Sequence, residues 1–256
     1  MDNKYTSFIS DQHLIDCKAN LHKSYLKAKK NINKKIFYGN KIDIFKLSFD
    51  KGFNEIDEET LIQNEILRQM DKSINNSIGT FHEEILGGIP GFESGKLSGY
   101  DIKAVDDSLF ADIKNKHNTM NSSAAESVYQ KLKHYADTYK KANCYWVQIL
   151  AKDSFNELWR GDINGKEYSH SRVYKISGDQ FYALLTEQED ALLQLYKALP
   201  IAIKDYLALT EMKTQVKESS VLDEIRTELG STSPNRTILD QITFENYSYY
   251  LGFDKL

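Results

Sequence analysis

The stretch "GYDIKAVDDSLFADIKNK", residues 99–116, decides the fold because its apolar and polar residues alternate with a period of two. Such alternation is typical of half-buried strands, and the turn-forming "DDS" at 106–108 separates its two runs. The stretch therefore predicts an antiparallel hairpin. In its second strand Asp112 and Lys114 share one face while Ala111 and Ile113 face the core, and Asp101 lies across the hairpin from them.

Helical patterns flank this hairpin on both sides. Apolar residues recur at helical spacing over residues 11–30 and 58–86, with Asp57 ahead of the second run. After the hairpin, "SSAAESVYQKLKHYADTYKKA" has Ser123 and Glu126 at capping-box spacing, which predicts another helix. The pattern turns helical again beyond residue 179, with a new helix start expected at Pro200.

Two further segments complete the predicted sheet. The run "CYWVQIL", residues 144–150, has the β-branched and aromatic composition of a central strand, and residues 155–176 indicate further strands or loops. The order of elements predicts an α/β fold with a central mixed β-sheet flanked by helices. We expect one domain over residues 1–256, with a helical N-terminal part at 1–57, a core at 58–176 and a helical C-terminal part at 177–256.

Composition limits the class of protein. Hydrophobic residues make up 41% of the 256 residues and charged residues 27%, which is typical of a folded globular protein. No apolar run is long enough for a membrane helix, and the start of the chain lacks the regions of a secretory signal, so a cytoplasmic location is expected. Cys17 and Cys144 have no second cysteine at metal-ligand spacing, which indicates buried thiols.

The charge is unevenly distributed along the chain. The net charge is -4, yet residues 1–51 hold 11 lysines against 5 aspartates. Basic stretches such as "KAKKNINKK" suit contact with phosphate, and they equally suit a solvated helix face.

The acids and the lysine of the hairpin indicate a chemistry. Two carboxylates that converge at a sheet edge, Asp101 and Asp112, are hard oxygen ligands that suit Mg²⁺. Such an ion stabilises the charge of a phosphate transition state, and Lys114 beside it is placed to orient or deprotonate a water molecule. These groups together suit the hydrolysis of a phosphodiester bond. A surface salt bridge would have the same spacing, and this alternative stays open.

These residues carry a resemblance to a known superfamily. Asp101, Asp112 and Lys114, within the order helix, strands, helix and strand, resemble the PD-(D/E)XK nuclease core. Tyr100 stands where the superfamily has proline, and Asp112 where glutamate is more usual, so the ligand reaches about one methylene less far.

A more specific resemblance covers most of the chain. The segments "FADIKNKHNTMNSSAAES" (110–127), "YQKLKHYAD" (129–137) and "YSHSRVYKISGDQFYAL" (168–184) resemble the type II restriction endonucleases grouped with Eco47II and Sau96I. The likeness extends from the long helix to about residue 207. It implies Mg²⁺-dependent cleavage of double-stranded DNA at a short interrupted palindrome such as GGNCC, and a companion DNA methyltransferase.

The resemblance has two further implications. A two-fold symmetric site is matched most simply by a homodimer. The nuclease core also implies a carboxylate from the helix before the sheet. Glu84 lies at about 60° from Phe81 on the apolar stripe and Glu83 lies nearly opposite, which favours Glu84.

Two polar segments are candidates for DNA contact. "KHNTMNSS" leaves the catalytic strand and precedes a helix N-terminus, where backbone N–H groups can hold phosphate. "WRGDINGKEYSHSR" (159–172) clusters basic residues around a turn expected at "NG", and arginine paired with guanine is the commonest specific contact. The candidates are Lys116, His117, Asn118, Asn121, Arg160, Lys166, His170 and Arg172. Ordinary solvated loops would have the same composition.

Two other functions are compatible with the sequence. A repair or recombination nuclease with the same core would recognise DNA structure rather than sequence. A non-enzymatic DNA-binding protein would use Asp112 and Lys114 only as a salt bridge.

Overall fold

The stretch 99–116 forms the antiparallel hairpin that its alternation predicts, with Ile102 opposite Ala111. The computed structural model describes residues 3–30, 32–95, 99–116, 120–163, 165–210, 221–232 and 236–248. The strands are β1 Phe92–Ser94, β2 Ile102–Ala104, β3 Leu109–Lys116, β4 Asn143–Leu150, β5 Asn156–Leu158, β6 Gly161–Ile163, β7 Lys166–Tyr168 and β8 Val173–Ser177.

The central sheet is mixed, as predicted. Within the described residues its strands follow the order β1-β2-β3-β4-β8-β5. The pairs β3–β4 and β4–β8 are parallel, whereas β1–β2, β2–β3 and β5–β8 are antiparallel. The run at 144–150 is thus a central strand with a parallel neighbour on each side. Strands β6 and β7 form a separate antiparallel hairpin, and Asn164 of its expected turn lies outside the described residues.

The helices confirm the expected α/β fold class. They are α1 Asp11–Lys30, α2 Lys34–Gly39, α3 Ile44–Phe53, α4 Glu58–Gly87, α5 Ser122–Thr138, α6 Gly178–Thr186, α7 Ala191–Thr210, α8 Val221–Thr232 and α9 Ile238–Tyr247. Asp57 starts α4 as its sequence predicts, because its carboxylate accepts the backbone N–H of Thr60 at 2.9 Å. None of the helices in the described part of the chain has the length and hydropathy needed to cross a bilayer.

Two predicted helix starts are wrong. Helix α5 is capped by Asn121, whose side chain accepts the backbone N–H of Ala124, so Ser123 lies inside the helix. Pro200 lies inside α7 rather than at the start of a helix. A proline removes one helical hydrogen bond, but Leu195, Ala198 and Ala202 are buried on both sides of it and hold the helix together.

Apolar side chains cover both faces of the sheet. One face packs against α1, α4, α6 and α7 and includes Ala111, Ile113, Val147 and Ile176. The opposite face packs against α5 and the β6–β7 hairpin; its buried residues are Phe110, Val128, Tyr129, Leu132, Ala136, Ala142, Cys144, Trp159, Ile163, Tyr168 and Val173. Asp112 and Lys114 belong to the strand positions of this second face.

The chain divides into two compact units. Residues 1–21 and 77–212 form the first unit, which contains the sheet, and residues 22–76 and 213–256 form the second. The second unit is helical in its described residues, with a core that includes Phe37, Leu61 and Ile225. Cys17 and Cys144 are buried thiols, as expected. Burial raises the pKa of the Cys144 thiol to about 12.

Candidate active site

The β2–β3 hairpin places Asp101 beside β3. Asp101 directly precedes β2, and its backbone N–H donates to the carbonyl of Ala111 at 2.9 Å. Its side-chain Oδ2 accepts the backbone N–H of Ile113 at 2.6 Å. The carboxylate therefore satisfies a backbone N–H of β3 that has no strand partner before β2 begins. This hydrogen bond fixes the direction of the Asp101 side chain.

Asp112 is the most enclosed charge of the site, with 3% of its side chain exposed. The ammonium of Lys114 lies 2.6 Å from its Oδ1. The same ammonium also donates to the carbonyl of Ile113 at 3.3 Å. Oδ2 accepts a hydrogen bond from the ammonium of Lys131. One buried carboxylate is thus paired with two lysines.

Lys131 is the site residue that the sequence analysis missed. It lies on α5 beside Val128 and Leu132, which bury their side chains against the sheet. Lys131 is three residues after Val128 and one residue before Leu132, so it lies at the edge of the helix's apolar stripe. A long side chain at that edge can reach along the sheet. A lysine at the edge of the apolar stripe of α5 is the one feature of the sequence that could have pointed to this residue.

A cavity of about 380 Å³ opens beside Asp101 and Lys131. Its lining residues are Thr80, Glu83, Gly95, Gly99, Tyr100, Asp101 and Lys131. Helix α4 therefore supplies a carboxylate to the site, and it is Glu83 that reaches the cavity lining. Glu84 lies toward α1, where the side-chain amide of Asn20 donates to its Oε2 at 3.3 Å and His13 contacts its carbonyl at 2.8 Å.

The electrostatics of Asp101 follow from this crowding. Burial raises the pKa of the Asp101 carboxyl above its usual value, and the negative charge of Asp112 raises it further. The N–H of Ile113 and the ammonium groups of Lys114 and Lys131 oppose that rise. A cation bound beside Asp101 would likewise lower this pKa, because it favours the charged carboxylate.

The described residues contain no cluster of three or more histidine, cysteine, aspartate or glutamate side chains arranged to hold a metal ion. Two carboxylates suffice for Mg²⁺, which keeps several waters and completes its shell with substrate phosphate. Asp101 and Asp112 supply carboxylate oxygens, the ligand type that such an ion prefers, and the enclosure of Asp112 favours a cation that compensates its lost hydration. Asp101 and Asp112 therefore fit a divalent metal ion.

The loop after β3 contains the first set of predicted DNA contacts. Lys116 is exposed at the end of β3, beyond Lys114 on the same face. His117 and Asn118 lie outside the described residues. Asn121 uses its side chain to cap α5, so its carbonyl oxygen is already engaged with the helix backbone.

The second set of predicted contacts lies on and around the β6–β7 hairpin. Arg160 is exposed, and Lys166, with 70% of its side chain exposed, lies 3.4 Å from Glu126 of α5. The ring of His170 lies 3.3 Å from Asp137. The guanidinium of Arg172 donates to the carbonyls of Ala136, at 2.5 Å, and Lys140. Arg172 is thereby bound to the C-terminal end of α5.

The mixed sheet with helices on both faces, and the cluster of two acids and a lysine at its hairpin, define an α/β nuclease. The chain belongs to the Eco47II restriction endonuclease family, whose model matches residues 6–208. It is 39% identical to the type II restriction enzyme Sau96I of Staphylococcus aureus, over 99% of this chain and 100% of that protein. It is 30% identical to the type II restriction enzyme Eco47II of Escherichia coli, over 78% of this chain and 87% of that protein.

These comparisons confirm the resemblance found in the sequence and the prediction of an enzyme. The protein is a type II, site-specific DNA endonuclease, and DNA is its substrate. Endonucleases of this type generally need a divalent metal ion.

Proposed function

We propose that the protein hydrolyses both strands of double-stranded DNA at a short interrupted palindrome, GGNCC or a related site, in a Mg²⁺-dependent reaction. The observation that supports this most directly is the convergence of Asp101, Asp112 and Lys114 at one end of the β2–β3 hairpin. A surface salt bridge without a catalytic role would leave the acid exposed, whereas the side chain of Asp112 is almost fully enclosed. The GGNCC-like site is inferred from the resemblance to the Eco47II and Sau96I group.

Each residue of the site has a role in this proposal. Asp101 and Asp112 would hold Mg²⁺, which supplies Lewis-acid stabilisation of the charge that develops on the phosphate. Lys114 orients the attacking water and adds positive charge beside the phosphate. Its ammonium lies 2.6 Å from Asp112, and 33% of its side chain is exposed, so the side chain is accessible to a substrate.

The helix before the sheet supplies the third acid of the proposal. We predicted Glu84 for this role, and the lining of the cavity supports Glu83. The two residues are neighbours of the same chemistry and form a matched pair for a test. If the acid that lines the cavity assists the reaction, Glu83→Gln reduces the rate of cleavage and Glu84→Gln does not. A loss of cleavage rate in Glu84→Gln but not in Glu83→Gln would instead assign the third acid to Glu84.

DNA contact is proposed for the basic and polar residues around this site. Lys116, Arg160 and Lys166 are exposed and suit phosphate contact. Base contacts are proposed for His117, Asn118 and Asn121 in the loop after β3, and for His170 and Arg172 near the hairpin. Base contact by Arg172 would require its guanidinium to exchange the carbonyls of α5 for a base edge.

The assembly follows from the symmetry of the proposed site. A two-fold symmetric DNA sequence is cut on both strands most simply by a homodimer with one active site for each strand. We also propose that residues 1–256 act as one endonuclease-like domain in the cytoplasm, with the nuclease core at 58–176. A companion DNA methyltransferase would protect the same sequence in the cell's own DNA.

One digest tests the proposal. The purified protein is incubated with unmethylated phage DNA and Mg²⁺, and the ends of the products are sequenced. Discrete bands with a common interrupted palindrome at their ends are expected, and they would also give the cut position and the overhang. Cleavage of branched DNA irrespective of sequence would favour a repair or recombination nuclease instead.

A matched pair of variants tests the acid. Asp112→Asn removes a charge from the site, whereas Asp106→Asn changes an exposed turn residue of the same hairpin that bonds to Ser108. We expect Asp112→Asn to abolish cleavage and Asp106→Asn to cut like the wild type. Equal rates in the two variants would remove Asp112 from the mechanism.

A further inference from the structure

Asp112 is held by more positive charge than a single catalytic lysine supplies. Its two carboxylate oxygens lie against different ammonium groups, Lys114 at Oδ1 and Lys131 at Oδ2. Only 3% of the Asp112 side chain is exposed, so solvent contributes little to the stability of its charge. A buried carboxylate is tolerated when nearby charges and donors replace the lost hydration. The two lysines provide that replacement.

The two lysines reach Asp112 from different elements. Lys114 lies two residues along β3 on the same face, so the strand itself fixes it near the acid. Lys131 comes from α5, and it also lines the cavity that contains Asp101 and Glu83. About a third of its side chain is exposed. A long side chain that is partly exposed at a cavity wall can move away from the acid without unfolding the helix.

We propose that Lys131 is a positioning residue of the active site that competes with the divalent ion for Asp112. Its ammonium neutralises Asp112 while no ion is bound, and it leaves Oδ2 when the carboxylate becomes a metal ligand. The inference rests on the proposed function, because it requires Asp112 to bind the ion. It adds a second lysine, from a different element, to the group formed by Asp101, Asp112 and Lys114.

The competition predicts the sign of an effect on metal binding. Removal of a unit positive charge a few ångströms from a divalent ion strengthens ion binding on the order of tenfold, even when the surroundings screen almost as well as water. A lysine with a purely structural role would have the opposite effect or none, because its loss would loosen the carboxylate. Metal affinity therefore separates the two roles.

The experiment is a calorimetric titration of Mg²⁺, and separately of Mn²⁺, into the full chain without DNA. Lys131→Met and Lys131→Gln are both expected to bind the ion on the order of tenfold more tightly than the wild type, whereas Lys131→Arg, which keeps the charge, stays near the wild type. The glutamine variant retains a donor for Asp112, which protects the fold if methionine does not. Lys133→Met is the matched control, since Lys133 lies on the same helix and pairs with Asp137 at 2.6 Å.

The outcomes separate this inference from the proposed function. If Asp112→Asn binds either ion as tightly as the wild type, Asp112 is no ligand, and both the inference and the metal assignment fail. If Asp112→Asn loses the ion while Lys131→Met and Lys131→Gln bind it no more tightly than Lys133→Met, only the competition is overturned. Binding that becomes measurable only in the Lys131→Met and Lys131→Gln variants would support the competition.

Discussion

Replacement of Arg172 by alanine should destabilise the first unit by about 2 kcal/mol. The guanidinium donates to the carbonyl of Ala136 in the last turn of α5, where helix carbonyls have no partner within the helix, and to the carbonyl of Lys140 just beyond the helix. A hydrogen bond from a charged donor contributes about 1.5 kcal/mol at the low end of the measured range, so two contribute about 3 kcal/mol. The partial exposure of the group to solvent reduces that sum to about 2 kcal/mol.

Urea unfolding followed by tryptophan fluorescence measures this loss. Trp146 and Trp159 both lie in the first unit, as α5 does, so the signal reports the relevant part of the chain. Arg160→Ala serves as the control because Arg160 is an exposed arginine of the same segment. An Arg172→Ala protein whose free energy of unfolding lies within about 0.5 kcal/mol of the wild type would refute the reasoning.

The same variant tests the competing role in DNA recognition. If Arg172 contacts a base, Arg172→Ala loses about 1 to 3 kcal/mol of binding free energy and relaxes the preference at one position of the site. Binding to the cognate site and to single-base variants is measured in Ca²⁺, so that no cleavage intervenes. Equal losses on every sequence, together with the loss of stability, would show that Arg172 supports α5 and does not read the DNA.

Three further predictions concern the acids, the lysine and the pH dependence. Asp101→Asn should abolish cleavage but retain specific binding in Ca²⁺, since it removes a metal ligand and leaves the DNA surface; cleavage at near the wild-type rate would show that the assignment is wrong. Lys114→Ala should reduce the cleavage rate by several orders of magnitude with an unchanged thermal melt. Lys114→Arg should not restore the rate, because guanidinium is almost never deprotonated. A rate of Lys114→Ala within about tenfold of the wild type would transfer the role to Lys116. Burial lowers the pKa of His82 from 6.5 to about 4. Between those values the unfolded chain binds a proton that the folded chain does not, so the free energy of unfolding should fall by up to about 2 kcal/mol from pH 7 to pH 5. The fall should be smaller in His82→Gln, and an equal fall in both proteins would contradict the explanation.

The parts of the fold that could be predicted are those set by local periodicity. The alternation over 109–116 is a property of consecutive residues, so it placed Asp112 and Lys114 on one face of β3 without any knowledge of the neighbouring elements. The stripe over 58–86 likewise predicted α4 to within one residue. Pro200 misled because the helix around it is held by burial in the core, which overrides a local preference.

The choice between two neighbouring glutamates could not be made from the stripe. Leu86 is fully buried together with Phe81 and Ile85, so the apolar stripe of α4 is wider than the sequence analysis assumed. With Leu86 included, Glu83 and Glu84 lie at similar angles on opposite sides of the stripe. Only the orientation of the helix on the sheet decides which of them meets the cavity.

Long-range contacts set the remaining features of the site. Lys131 meets Asp112 across 19 residues because Val128 and Leu132 fix the rotation of α5 on the sheet. Arg172 meets Ala136 across 36 residues for a similar reason. The spacing of residues does not identify the partner in either pairing, since each partner depends on the packing of one element on another.

The alternation of β3 has a consequence for how the hairpin folds. A slip of one residue in its pairing would exchange the two faces of the strand, so Asp112 would point into the apolar cluster that contains Ile102 and Val147. A carboxylate without partners in such surroundings costs several kcal/mol. In the native register the same carboxylate instead meets the ammonium groups of Lys114 and Lys131. The acid that we propose for cleavage thus also disfavours the misaligned hairpin, and a chain with an apolar residue at this position would be expected to misfold more often during synthesis.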